Sequence, residues 1–151
     1  MPFTALSQRS ASATFMATVT IIEPVQIENT SNMNFASIDA RKGGTVTLHP
    51  DNTRSSSGDV LLDEASGVSA ASFRIKGQSG YSYNIIVPQN EILMSNGKSS
   101  LTLKDFTVDY QGLFNDNTET VRLGASLDVG AGQQPGNYRS IAPIEVTVSY
   151  N

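Results

Sequence analysis

The stretch GNYRSIAPIEVTVSYN (residues 136–151) decides the fold, because its apolar and polar residues alternate. An alternation of period two is typical of a β-strand that has one face buried and the other exposed to solvent. We therefore predict a final strand whose inner face is apolar and whose outer face carries Arg139, Glu145 and Thr147. The large residues of the inner face are Tyr138, Ile144, Val146, Val148 and Tyr150.

Similar patterns recur upstream, separated by turn residues, whereas no window keeps the apolar spacing of an amphipathic helix. A short glycine-bearing stretch at 76–80 predicts a hairpin between its two flanking strands. A shift in apolar phase between Leu103 and Phe106 predicts a β-bulge near Lys104 and Asp105. The pattern as a whole indicates a single all-β domain, an immunoglobulin-like antiparallel β-sandwich. The other predicted strands are 14–22, 25–27, 33–38, 45–48, 59–62, 70–75, 81–87, 100–110 and 120–130.

The composition excludes several classes of function. The formal net charge is −4 and no cluster of lysine and arginine is present, which argues against nucleic-acid binding. There is no cysteine, so disulfides and thiolate chemistry are excluded. No apolar run has the length of about 18–20 residues that a membrane span requires. Residues 1–15 lack the basic and apolar regions of a signal peptide, so the chain is either that of a cytosolic protein or, as the composition favours, the mature form of an exported one.

The search for chemistry predicts no enzyme, no metal site and no cofactor. His49 is the only histidine, and no nucleophile motif accompanies it. The loops 51–59 and 114–120 carry oxygen-bearing side chains, but without the spacing of a calcium loop. Asn, Asp and Ser in such loops usually form turns, because their side chains bond to nearby backbone.

Two local features leave alternatives open. Tyr81 and Tyr83 share one face of a predicted strand, where they are either a core pair, which we favour, or a platform for a sugar ring. A Lys–Asn isopeptide bond at Lys76 or Lys104 would need a buried lysine beside an asparagine and an acid. The sequence alone does not show whether either lysine is buried in that way.

The N-terminal residues have the pattern of a strand without enough apolar bulk to form a core. Phe3, Ala5, Ala11, Ala13 and Phe15 fall in one alternating register. An exposed sheet edge can recruit such a segment from a neighbouring subunit. We therefore predict an N-terminal extension at 1–15, which is a candidate donor strand, and a β-sandwich domain at 16–151. In the alternative, residues 1–12 are a leader, and residues 13–22 are the first strand of the domain's own sheet.

Several motifs resemble those of known families. The ending G-x-Y…I-x-V-x-V-x-Y-N, from Gly136 to the penultimate Tyr150, resembles the C-terminal signature of chaperone–usher pilins. Four further segments resemble an uncharacterised family of secreted bacterial β-sandwich domains, related to fimbrial major subunits and spore coat protein U. These segments are 17–39, 43–48, 69–88 and 122–138. The chain departs from many chaperone–usher pilins, because it has no cysteine and so cannot form the disulfide that they carry.

The resemblance implies a pilin-like sandwich that is incomplete and is completed by a donor strand from a neighbour. It implies export to the cell surface, head-to-tail assembly of identical subunits, and handling by a periplasmic chaperone and outer-membrane assembly machinery. The expected function is that of a structural subunit of a surface filament. The expected acceptor groove is lined by Tyr138, Ile144, Val146, Val148 and Tyr150.

The alternative function is that of a secreted monomeric module that binds a carbohydrate or another surface ligand. Its binding surface would include Tyr81, Tyr83 and Tyr110, together with the loops 51–58 and 114–119.

Overall fold

The alternating segments form antiparallel β-sheets. The structure is a computed structural model that describes residues 9–63 and 67–151, and within these ranges it contains strands and no helix. The described residues accordingly include no helix able to cross a membrane. The strands are β1 (Gln26–Ser31), β2 (Ile38–Asp39), β3 (Gly44–Leu48), β4 (Arg54–Gly58), β5 (Leu61–Leu62), β6 (Ala71–Lys76), β7 (Tyr83–Ile86), β8 (Ile92–Ser95), β9 (Ser100–Asp109), β10 (Thr118–Val129), β11 (Arg139–Ser140) and β12 (Thr147–Tyr150).

Strand β10 is the central strand of the largest sheet. It has 12 residues, which is long enough for two different strands to pair along one of its edges. Its first half pairs with β6 and its second half pairs with β3, while β9 pairs along the opposite edge. Strands β1 and β4 extend the sheet on one side, and β8 and β11 extend it on the other. The sheet curls into a half-barrel. Two small sheets complete the fold, one formed by β7 with β12 and one by β2 with β5.

Strand β10 changes its neighbour at Gly124. The pairing with β6 ends at Leu123, and the pairing with β3 begins at Ala125. A Cβ atom at position 124 would overlap the Leu48 carbonyl oxygen and would lie 2.9 Å from the Thr107 hydroxyl. Glycine permits this close approach of two backbones because it has no side chain.

Gly124→Ala is therefore expected to lower the free energy of unfolding by about 1–3 kcal/mol, because the added methyl group overpacks a backbone contact that cannot give way. Chemical denaturation would measure the change. Gly130→Ala is the matched control, since its Cβ would meet only the flexible side chain of Gln133, at 3.1 Å. Equal losses in the two variants would contradict the steric explanation.

The core consists of two clusters that share β10. The first lies beneath β3, β9 and the second half of β10, and it includes Phe35. The second lies between β6, β7, β12 and the first half of β10, around the fully buried Phe114. Met33 and Phe106 pack against both clusters, so they connect the two halves of the core.

The predicted β-bulge is confirmed. Asp105 and Phe106 of β9 lie opposite the single residue Ala125 of β10. Asp105 has φ 52°, in the left-handed region that is unusual for residues other than glycine. The extra residue resets the alternation, so that Leu103 and Phe106 both face the core.

The predicted hairpin between β6 and β7 is wrong. Both edges of β6 are occupied, one by β1 and the other by β10, so β7 pairs with β12 instead. The connection between them is held by a different part of the chain: the Gly77 amide donates to the Asn117 carbonyl, and the Gly80 amide donates to the Phe114 carbonyl. The glycine-bearing stretch therefore carries the chain from one sheet to the other.

Three other predicted strands differ from the structure. The strand at 33–38 is absent, since in this stretch only Asn34 forms an isolated bridge, with Ser69, and β2 begins at Ile38. The strand at 14–22 is absent, and the first strand begins at Gln26. The final strand is interrupted, because β11 and β12 pair with different partners and residues 141–146 belong to no strand. Pro143 has no amide hydrogen, which makes this stretch unsuitable for a continuous ladder.

Strands β4 and β8 were not predicted. Strand β4 has the sequence RSSSG, which is polar throughout, and its position is fixed by pairing with β3 instead of by an apolar face. Strand β8 is only four residues long and lies between β9 and β11.

Candidate functional site

Residues 9–22, called here the extension, lie outside the sheets. Every residue from Arg9 to Ile21 is exposed, and Phe15, Val19 and Ile21 are 89%, 85% and 89% exposed. Large apolar side chains in a soluble domain are usually buried. The extension thus presents apolar side chains that its own domain does not cover.

The extension also has the side-chain pattern of a half-buried strand. Its even-numbered positions are serine or threonine from Ser10 to Thr20, with Met16 as the exception. If residues 9–21 were fully extended they would span ~43 Å, at about 3.3 Å per residue. The segment therefore has the pattern of a strand but, within one subunit, lacks the buried surroundings that the pattern predicts. The apolar odd-numbered positions are Ala11, Ala13, Phe15, Ala17, Val19 and Ile21.

An open groove runs between two parts of the domain, residues 29–41 and residues 132–146. It has two adjoining parts, with volumes of about 1080 Å³ and 1010 Å³. Met33, Phe35 and Met94 line both parts, which places apolar side chains at the middle of the groove. Leu103 and Leu123 add to its floor, so the groove opens onto both clusters of the core.

One wall of the groove is the interrupted part of the final strand. The Ile141 amide donates to the Leu93 carbonyl at 3.1 Å, next to β8. Beyond it, residues 142–146 form no strand pairing within the described part of the chain. Unpaired backbone along the wall of an apolar groove is suited to receive a further strand.

The structure divides the predicted acceptor residues into two groups. Tyr138, Ile144 and Val146 line the groove. Val148 and Tyr150 lie in the second core cluster, where Val148 is 9% exposed and the Tyr150 ring packs against other aromatic rings. The opposite wall, formed by residues 29–41, was not predicted as part of the groove. The only sequence signal for it is the short apolar alternation of Met33 and Phe35.

The predicted donor residues lie on the extension where the structure describes them. Ala11, Ala13 and Phe15 are exposed, and Phe3 and Ala5 lie outside the described residues. The exposed apolar register continues beyond the predicted boundary at residue 15, through Val19 and Ile21.

The tyrosines of the alternative binding surface do not form a platform. Tyr83 is 2% exposed and its ring centroid lies 4.5 Å from that of Phe114, so it belongs to the core, whereas Tyr81, predicted as its core partner, does not. Burial raises the pKa of the Tyr83 hydroxyl. The Tyr110 hydroxyl donates to the Asn84 side chain, at 2.9 Å, and Tyr81 is 42% exposed.

The two polar segments that were predicted as loops run into strands, because 51–58 includes β4 and 114–119 includes the start of β10. In the turn before β4, the Asp51 carboxylate accepts hydrogen bonds from the hydroxyl and the amide of Thr53, which lower the pKa of Asp51. His49 Nε2 lies 3.0 Å from the Ser55 hydroxyl. The described residues contain no group of three or more His, Asp or Glu side chains that could hold a metal ion.

The lysines considered for an isopeptide bond lie in surroundings of another kind. Lys76 is exposed at the end of β6. Lys104 Nζ lies 2.8 Å from Asp128 Oδ2, and this hydrogen bond raises the pKa of Lys104. The same contact lowers the pKa of Asp128. Neither lysine is therefore buried in the way that an isopeptide bond would require.

The groove and its walls lie within a region that matches a family model. The match, to a domain of unknown function (DUF4402), spans residues 25–150 and so begins just after the extension. Comparison with curated proteins gives no significant match, and comparison with solved structures gives none. Because the match covers most of the sequence, the chain belongs to the DUF4402 family.

Proposed function

We propose that the protein is the structural subunit of a bacterial surface filament, assembled from identical subunits by donor-strand exchange. In this proposal the extension of one subunit enters the groove of the next and completes an immunoglobulin-like, pilin-like sandwich. The observation that carries the proposal is the presence, in one chain, of an exposed extension with alternating apolar side chains and of an open groove with an apolar floor, in which residues 9–63 and 67–151 place no strand.

The lengths of the two parts are compatible. The wall from Tyr138 to Val146 spans ~30 Å if extended, at about 3.3 Å per residue. The extension is longer than this, so it can cover the whole wall and still connect to its own domain. The spacing of the apolar positions also fits, because the odd-numbered face of the extension can meet the floor of the groove while its serine and threonine residues face solvent.

Two kinds of contact would hold the donor strand. Backbone hydrogen bonds to residues 142–146, where Pro143 can only accept, would supply affinity, and side chains entering the groove would fix the register. Burying Phe15, Val19 or Ile21 would contribute about 1.5–3 kcal/mol for each side chain. Because the donor and the acceptor are different surfaces of one subunit, the contact does not need to close into a ring and can extend as an open fibre.

The cellular setting forms part of the same proposal. A subunit with an exposed apolar strand and an open groove would aggregate if it were left unprotected. The resemblance to chaperone–usher pilins supports export to the cell surface, with a periplasmic chaperone and outer-membrane assembly machinery as partners.

The purified protein is expected to form fibres visible by negative-stain electron microscopy, and Val19→Asp is expected to prevent them. The aspartate would place an unpaired charge in the apolar groove, which is costly. Thr18→Asp is the matched control, because it adds the same charge to the opposite face of the extension. Fibres in both variants would contradict the proposed donor register.

Size-exclusion chromatography separates the proposed function from its alternative. A single species near 16.1 kDa at every concentration would favour the monomeric ligand-binding module over the filament subunit.

A further inference from the structure

Two hydrogen bonds hold the chain at Glu23, immediately after the extension, and a third holds the Tyr150 hydroxyl that makes one of them. The Glu23 amide donates to the Gln78 side chain at 3.2 Å. The Tyr150 hydroxyl donates to the Glu23 carbonyl at 2.5 Å, and it accepts a hydrogen bond from the Gln78 amide at 2.7 Å. Both backbone groups of Glu23 are therefore bound to the domain, and the Tyr150 hydroxyl takes part in two of the three bonds.

The Tyr150 hydroxyl is itself held in a fixed position. The Tyr150 ring makes edge contacts with Tyr81 and Phe114, at centroid distances of 5.7 Å and 6.2 Å. Phe114 is fully buried, and the strand that carries Tyr150 is paired with β7. The hydroxyl is thus presented to Glu23 by the core of the domain, and not by a free surface side chain.

The connection between the extension and β1 is short. It consists of Glu23, Pro24 and Val25, and β1 begins at the next residue. The proline ring restricts its own φ, and Val25 packs against the second core cluster. A clamp at Glu23 therefore leaves little freedom between the domain and the first residues of the extension.

We propose that Tyr150 is a positioning residue that sets the direction in which the extension leaves the domain. The consequence for a filament rests on the proposed function: the angle between successive subunits would be set at this clamp, because the same extension enters the next subunit. The C-terminal part of the chain would then take part in the contacts with both neighbouring subunits. Residues 142–146 would receive the extension of one neighbour, and Tyr150 would orient the subunit's own extension toward the other neighbour.

The absence of cysteine allows the direction to be measured with two introduced spin labels. Thr20→Cys places one label on the extension near the clamp, and Ser57→Cys places the other on exposed β4. Pulsed electron paramagnetic resonance would give the distance distribution, measured on a fraction that size-exclusion chromatography shows to be a single species near 16.1 kDa. Tyr150→Phe keeps the ring and removes the hydroxyl, and it is expected to widen the distribution about twofold, because the restraint on Glu23 is lost.

Tyr110→Phe is the matched control, because it removes a hydroxyl that bonds to Asn84 and not to the extension. It is expected to leave the width unchanged. An equal width in the wild type and in Tyr150→Phe would overturn the proposed clamp, whereas a wider distribution in Tyr150→Phe alone would support it. The measurement needs no filament, so failure of the protein to form fibres would count against the proposed function and would leave this result standing.

Discussion

Deletion of residues 1–22 is expected to give a folded monomer that cannot form fibres and that is stabilised by a peptide of residues 9–22. The residues from Arg9 to Ile21 are exposed and Ile22 is half-buried, so among the described residues the deletion removes little buried contact with the domain. A ligand at ~100 times its dissociation constant adds about 2.7 kcal/mol to the stability of the folded state. For a domain of this size, that corresponds to a rise of about 5–10 °C in melting temperature.

The control for this experiment is a peptide in which Phe15, Val19 and Ile21 are replaced by serine. This control peptide keeps the backbone and loses the apolar face, so it is expected to raise the melting temperature of the truncated protein little or not at all. A truncated protein that melts far below the full-length monomer would instead indicate that the extension is a strand of its own domain. If the truncated protein is stable and its melting temperature does not change when the peptide is added, the extension is only a leader.

Val148→Asp is expected to prevent folding. Val148 is 9% exposed and packs in the second core cluster, opposite Ile85 of β7. An unpaired charge there would cost about 3–5 kcal/mol, which is a large part of the 5–15 kcal/mol that stabilises a typical domain. Circular dichroism and chemical denaturation would measure the loss.

Thr147→Asp tests whether the effect depends on the face of the strand. Thr147 is the exposed neighbour of Val148 on β12, and its substitution is expected to change the free energy of unfolding by about 0.5 kcal/mol or less. Equal tolerance of both substitutions would mean that the burial of Val148 is unimportant for folding.

The sequence predicts best the strands that have one buried and one exposed face. In the final strand, Val148 is buried and Thr147 is exposed, as their alternation predicts. The bulge at Asp105 was predictable for the same reason, because a phase shift between two apolar residues requires an extra residue. Strand β4 was not predictable in this way, since its serines carry no apolar signal.

The candidate site was predictable only in part, because a groove forms where the pairing of distant strands leaves part of a surface uncovered. The apolar pattern of the extension and of Ile144 and Val146 is visible in the sequence. The interruption at residues 141–146 and the wall formed by residues 29–41 depend on pairing between distant strands. The contact of Tyr150 with Glu23 joins residues 127 positions apart, and no local pattern indicates it.

The position of β1 determines how the domain would respond to mechanical tension. A pulling force transmitted through the extension would first reach the contacts of Glu23 with Tyr150 and Gln78, and would then load β1 at Gln26. Strand β1 is paired with β6 over most of its length, from Gln26 opposite Lys76 to Ser31 opposite Ser72. Force along the strand axis loads these hydrogen bonds together, in shear, whereas force across it would break them one after another. A fibre built in this way would resist extension at each subunit by the combined strength of a whole ladder.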